Sequence, residues 1–74
     1  MSTLLDLEIE SRAVILEVLP SSFSPKMAEM GLIAGAELSV AFKAPFGDPI
    51  AIELNGSLLS LRKNEASLII IQLI

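Results

Sequence analysis

The sequence predicts a single all-β domain over residues 1–74, a small and strongly bent barrel of five antiparallel strands with one short helix. Three observations predict it. Apolar and polar residues alternate along short segments, turn residues recur about every eight to twelve positions, and 53% of the 74 residues are hydrophobic. Strands spaced this closely leave no room for the helices of a parallel βαβ arrangement. An open five-stranded sheet of the OB type is the alternative, and it normally needs a longer chain.

The two central strands carry the clearest pattern. Apolar residues alternate with polar or small ones across Glu37–Lys43 and again across Ile50–Leu54, which places one face of each strand on a core. Asn55-Gly56 then favours a type I′ hairpin into Ser57–Leu61, because both turn residues tolerate positive φ. We therefore expect these residues inside the barrel: Leu38, Val40, Phe42, Ile50, Ile52, Leu54, Leu61, Ile69 and Ile71.

The outer elements are less regular. The first strand, Arg12–Leu19, carries an apolar run without polar alternation, so we expect a bulge or a strong bend there. A helix over Pro25–Met30 follows. Ser24 can accept bonds from the free N–H groups, Pro fits the first helical position, and Gly31 suits the left-handed residue that ends a helix. The last strand is Ser67–Leu73, after a polar corner.

The composition excludes several function classes. Five basic and nine acidic residues give a net charge of −4, and nucleic-acid binding needs clustered cations, so no nucleic-acid partner is expected. The chain has no His and no Cys, so we predict no enzyme, no cofactor and no metal site. The apolar run Leu68–Ile71 is far shorter than the roughly 20 residues that span a bilayer, and without a basic segment followed by an apolar one at its start we expect no signal peptide. We therefore expect a cytoplasmic protein without direct membrane insertion.

Three segments carry a family resemblance. Met30–Gly35 resembles the "LGL-x-PG" turn of FeoA proteins, with Ala34 in place of the usual Pro. Ala44–Ile50 resembles their "APxGDPI" loop, and Leu61–Ala66 resembles their "LRxxEA" corner. Each motif alone is weak, but the three occur in the family's order and the resemblance covers residues 4–73. The chain is therefore identified as a member of the FeoA family.

The resemblance implies an SH3-like barrel that works in the cytoplasm with FeoB, a membrane iron permease with a cytosolic G-domain. It also implies an accessory or regulatory protein rather than a catalyst. Because the chain has no His or Cys and its acidic residues are scattered, we expect iron to enter the function through the partner. The same fold occurs as the C-terminal domain of DtxR-like iron-dependent repressors. The alternative function is therefore that of a detached repressor domain, used for ligand sensing or assembly.

Large apolar residues in the resemblance motifs are the candidates for partner binding. We expect an apolar face of Met27, Met30 and Phe46, with Leu32 at its border, since exposed methionines and aromatic residues favour binding. The structural interpretation is that the methionines belong to the core and that Phe46 plugs the barrel end. For the rest of the loop, we expect Gly47 to supply a turn and Asp48 to cap nearby N–H groups.

The last strand supplies two further candidates. If Ile69 and Ile71 face the core, Leu68 and Ile70 face outward and form a sticky apolar patch. That patch predicts self-association through the last strand or docking to the permease. The other interpretation is that the N-terminal segment, a lead-in turn over residues 4–7, covers it.

Overall fold

Six β-strands form one antiparallel sheet in the computed structural model, which describes residues 2–74. In chain order they are β1 (Ser2–Thr3), β2 (Arg12–Val18), β3 (Glu37–Lys43), β4 (Ile50–Leu54), β5 (Ser57–Leu61) and β6 (Ile69–Leu73). Two short α-helices accompany them, α1 (Ser24–Glu29) and α2 (Lys63–Ala66). The predicted all-β class and all five predicted strands are confirmed.

The strand order across the sheet is β1-β6-β2-β3-β4-β5. The expectation of five strands and one helix is wrong in its counts, because the two-residue β1 and the four-residue α2 are too short to show a sequence period. Within the described residues β1 and β5 pair with one neighbour each and not with each other. The sheet is therefore strongly bent but not closed into a full barrel.

A bulge bends β2 where the sequence predicts it. The pairing of β2 with β6 shifts register between Ile15 and Glu17, which leaves Leu16 as the extra residue. The first half of β2, Arg12 to Val14, also pairs with β3. Because a bulge increases the local bend and twist of a strand, β2 can join the β3 side of the sheet to the β6 side.

A second bulge, in β3, overturns one core prediction. The pairing of β3 with β4 shifts between Val40 and Phe42, so the extra residue Ala41 reverses the alternation that follows. Phe42 is consequently 53% exposed and lies outside the core. The other eight predicted core residues are buried, and that prediction is confirmed for them.

The end of α1 is fixed by a Schellman motif. The Gly31 N–H donates to the Ala28 carbonyl at 3.0 Å, and the Leu32 N–H donates to the Met27 carbonyl at 2.9 Å. Gly31 has a φ of +91°, the left-handed conformation that a Cβ disfavours. The predicted glycine stop is confirmed. Ser24 is the first residue of the helix rather than its cap.

The hairpin between β4 and β5 is also as predicted. Asn55 and Gly56 have φ values of +52° and +80°, which a type I′ turn requires at both positions. The polar corner after β5 folds into α2, whose first turn is closed by the Glu65 carboxylate accepting the Arg62 N–H at 2.8 Å. At the other end of the chain, a single 3-10 turn over Leu4–Asp6 precedes β2, and both Leu4 and Leu7 are buried.

Candidate partner-binding site

The methionine helix contributes less surface than expected. Met27 and Leu32 are each only 1% exposed, because the Schellman motif folds the residue after Gly31 back toward the helix, where apolar contact accompanies this motif. Both belong to the main core cluster, and Met30 is half-buried against it. The expectation of an exposed face that includes Met27 and Leu32 is therefore wrong, and the structural interpretation holds for them.

Met30 and Phe46 also belong to segments at opposite ends of strand β4. A Cβ built on Gly31, the residue after Met30, would lie 3.5 Å from the Leu54 side chain and 3.4 Å from that of Asn55, so the backbone at the end of α1 lies beside the Leu54 end of β4. Phe46 belongs to the loop that enters β4 at its other end. Strand β4 separates those ends by roughly 13 Å, at about 3.3 Å per residue. This spacing does not favour one continuous face of the two residues.

The last strand offers no free edge along its centre. Ser2 and Thr3 of β1 pair with Ile71 and Ile70, while β2 pairs with the opposite side of β6. Ile70 is only 5% exposed, and Leu68 is half-buried against the core. The expectation of an outward apolar patch of Leu68 and Ile70 is wrong, because β1 and the 3-10 turn over Leu4–Asp6 lie against the last strand. Self-association through the last strand stays a prediction.

Phe46 stands apart from every other apolar residue in the described chain. Its exposed fraction is 97%, and its backbone has φ of +70° and ψ of +7°. A left-handed conformation disfavours any side chain with a Cβ, so Phe46 combines an unburied aromatic ring with a strained backbone. The interpretation of Phe46 as a plug for the barrel end is wrong. The ring projects from the loop into solvent.

Hydrogen bonds hold that loop in one shape. The Gly47 N–H donates to the Ala44 carbonyl at 2.7 Å, and the Ala44 N–H donates to the Pro49 carbonyl at 3.0 Å. The peptide bond between Asp48 and Pro49 is cis. Residues 44–49 therefore form a closed turn rather than a loose connection, with Phe46 at its tip.

The loop is also anchored to α2, so two of the resemblance motifs meet in space. The Asp48 carboxylate accepts the backbone N–H of Lys63 at 3.2 Å, as expected for a residue that caps free donors. The Lys63 side chain passes beside Gly47, with its Cε 3.5 Å from where a Cβ would stand. The amino group of Lys63 is consequently close to the base of the Phe46 tip.

One cation lies beside the loop that carries the exposed ring. The Lys63 amino group is 4.0 Å from where a Cβ on Gly47, the residue after Phe46, would stand. The Lys43 amino group is directed elsewhere, because it donates to the Leu5 carbonyl at 3.5 Å. We define the Phe46 surface as Phe46 and Lys63. It presents an exposed aromatic ring beside one amino group, with the Asp48 carboxylate bound to the backbone N–H of Lys63, on a chain of net charge −4.

The rest of the described chain supplies little chemistry. Among residues 2–74, no three His, Cys, Asp or Glu side chains gather closely enough to hold a metal ion. Over the same residues, neither helix is long and apolar enough to cross a membrane. The only ion pair in that part of the chain joins Arg12 to Glu37 at 2.7 Å, with both side chains largely exposed, and such pairs contribute little stability.

Solved structures of similar proteins share this fold. The chain is 38% identical to an FeoA-like protein from Clostridium acetobutylicum, with a TM-score of 0.87. The match covers 100% of this chain and 91% of that one. It is 35% identical to an FeoA protein from Chlorobium tepidum, with a TM-score of 0.90. That match covers 99% of this chain and 70% of that one. No curated protein sequence matches the chain significantly.

More distant structures share the fold. FeoA from Stenotrophomonas maltophilia, described as an SH3 domain protein complexed with zinc, is 23% identical with a TM-score of 0.86 over 97% of this chain and 91% of that one. A manganese-dependent transcriptional repressor is 14% identical with a TM-score of 0.90 over 99% of this chain and 36% of that one. The predicted SH3-like fold is thus confirmed. The model of the FeoA domain matches residues 2–73, and the chain belongs to the FeoA family.

Proposed function

We propose that this chain is a cytoplasmic accessory protein of bacterial ferrous iron uptake, which regulates an FeoB-type permease by binding its cytosolic part. Two observations support a role in ferrous iron uptake. The chain belongs to the FeoA family, and the related Stenotrophomonas maltophilia protein is described as a possible activating factor of bacterial ferrous iron transport. The family resemblance implies FeoB as the partner. The chain has no His and no Cys, and its proposed action is therefore binding rather than catalysis.

The observation that carries the proposed surface is the state of Phe46. Leaving a Phe side chain in water forgoes roughly 1.5–3 kcal/mol of burial, and its left-handed backbone costs roughly 1–2 kcal/mol more. Neither term stabilises the free chain. Strained and exposed residues held by a rigid turn are typical of sites that bind a ligand or partner.

The Phe46 surface also defines the chemistry of its partner. An exposed ring is buried best in an apolar pocket, and the Lys63 amino group beside Gly47 favours carboxylates at the rim of that pocket. We therefore expect the cytosolic part of the permease to present an apolar pocket edged by acidic residues. Rim charges chiefly affect the association rate, so binding should weaken as salt is added.

The decisive variant is Phe46→Asp, compared with the wild-type full chain in binding to the cytosolic part of the permease. We expect an unchanged thermal melt, because the ring makes no core contact, and an affinity reduced about 30-fold, the effect of losing a hot spot of about 2 kcal/mol. Phe42→Asp is the matched control. Phe42 is also exposed, at 53%, but it lies on the outer sheet face, so this variant should bind normally.

Two results would contradict the surface. A collapsed melt in Phe46→Asp would mean that the ring belongs to the core. An intact fold with wild-type affinity would place the permease interface elsewhere on the molecule. If wild-type chain does not bind the permease at all, the proposed function itself fails, whatever the variants do.

The second candidate is a detached domain of a DtxR-like repressor, acting in ligand sensing or assembly. The fold shared with the manganese-dependent repressor favours it. A pull-down with the chain from solubilised membranes separates the two candidates, because only the first expects recovery of the permease.

A further inference from the structure

Strand β5 forms a free edge of the sheet. It pairs with β4 along its whole length, Ser57 to Leu61, and has no neighbour on its other side within the described residues. The opposite edge of the sheet, β1, has two residues and so exposes little backbone. The sheet therefore presents one long unpaired edge.

That edge lacks the features that normally prevent pairing with another strand. Edge strands of natural proteins are usually blocked by a charged residue, a proline or a bulge. The sequence of β5 is Ser-Leu-Leu-Ser-Leu, with no charge and no proline, and its register with β4 is continuous. The edge is open, regular and uncharged.

The hairpin geometry fixes which backbone groups point outward. In a two-residue hairpin the residues that flank the turn, here Leu54 and Ser57, form a hydrogen-bonded pair, and hydrogen-bonded and non-bonded pairs then alternate along the strands. Leu58 and Ser60 fall on the non-bonded positions opposite β4. Their N–H and C=O groups therefore face the free edge, which gives four unpaired backbone groups in an alternating pattern.

We propose that β5 pairs antiparallel with β5 of a second copy of this chain, across a two-fold axis at Leu59. This register places Leu58 opposite Ser60 of the other copy and Ser60 opposite Leu58. Both are hydrogen-bonded pairs, and the Leu59 pair on the axis is a non-bonded one. The alternation that an antiparallel ladder demands is satisfied, and all four free groups in each strand find partners. An isologous contact of this kind closes into a dimer.

The side chains of the outer face fit the same register. Leu58, at 64% exposed, lies diagonally across the axis from its symmetry mate, at about 7–8 Å, within reach of long side chains. Glu53 pairs with Leu58 inside one copy. Arg62 continues the extended strand of the other copy, with its Cα about 12 Å from that of Glu53 on strand spacings. Two Glu53–Arg62 ion pairs related by the axis can therefore span the interface, which favours a second copy as the occupant.

The test measures the oligomeric state of the full chain by sedimentation equilibrium over a concentration series. We expect the wild type to move from one to two chain masses as concentration rises. Leu58→Lys, which introduces the usual edge-blocking residue at an exposed site, should stay monomeric with an unchanged melt. Leu16→Lys is the matched control: Leu16 is 48% exposed but lies on β2, so this variant should dimerise normally.

Amide hydrogen exchange of the wild type tests the register without any variant. The N–H groups of Leu58 and Ser60 should become protected as the concentration rises, while that of Arg12 should not. A monomer at every concentration, or a dimer that persists in Leu58→Lys, would overturn the proposal. So would protection of Leu58 and Ser60 that appears only when the permease is added, because β5 would then serve a different partner.

Discussion

Replacing Phe46 by glycine should stabilise this protein, although it removes a large aromatic side chain. Phe46 has φ of +70° and is 97% exposed. Glycine adopts this conformation without the steric penalty of a Cβ, and truncation of the ring sacrifices almost no burial. The folded state therefore loses strain and almost no packing.

The magnitude follows from two opposing terms. Relief of the left-handed backbone stabilises the folded state by roughly 1–2 kcal/mol. The greater freedom of glycine in the unfolded chain offsets roughly 0.5–1 kcal/mol of that gain. The midpoints of the two ranges leave a net stabilisation of about 0.7 kcal/mol, which raises the melting temperature of a domain this size by about 3–6 °C.

Thermal and urea unfolding of the purified chain measure the effect, and two variants calibrate it. Phe46→Ala removes the ring but keeps the Cβ, so it should melt close to the wild type. Gly35→Ala is the mirror experiment, since Gly35 has φ of +92° and a Cβ there would meet no atom within 4 Å. Its free energy of unfolding should fall by about 0.7 kcal/mol, because the same two terms act with opposite sign.

The reasoning fails if Phe46→Gly melts below Phe46→Ala. That order would mean that the backbone at this position is not strained, or that the loop depends on the side chain to keep its shape. If Phe46→Gly is more stable, as expected, it should also bind the permease less well than the wild type, since the ring serves binding at the expense of stability.

Two further predictions concern the core and the absence of iron ligands. Replacing Ile52, which is fully buried in β4, by alanine should lower the free energy of unfolding by roughly 2–5 kcal/mol. That loss is enough to unfold much of the protein at room temperature. Ile33→Ala, at a 53% exposed turn residue, should change stability little, and equal losses in the two variants would contradict the core assignment. Ferrous iron should bind no tighter than about millimolar, because the chain lacks His and Cys, the ligands that hold it best. Stoichiometric micromolar binding in a calorimetric titration would overturn this prediction.

Local chemistry alone determined much of the fold. The Asn55-Gly56 turn and the Gly31 helix stop depend on backbone conformations that few residues adopt, so the sequence identifies them without knowledge of the rest of the chain. Alternation across Ile50–Leu54 likewise identifies Ile50, Ile52 and Leu54 as buried, because β4 pairs with β5 without a register shift. It does not identify Ala51, which is buried on the other face. The family motifs were likewise identified from local sequence alone, because they lie on turns and loops of fixed shape.

Tertiary structure decided the candidate site. Phe42 turned outward because β3 accommodates a bulge opposite β4, a property of the pair rather than of either strand. Ile70 was buried where the start of the chain, β1 with the 3-10 turn after it, packs along the last strand, and Leu32 because the helix end folds back on the core. Apolar character alone does not distinguish these residues from Phe46, since the exposure of an apolar side chain depends on which distant segments cover it. The sequence could therefore name six candidates for partner binding, and only packing left Phe46 as the one fully exposed.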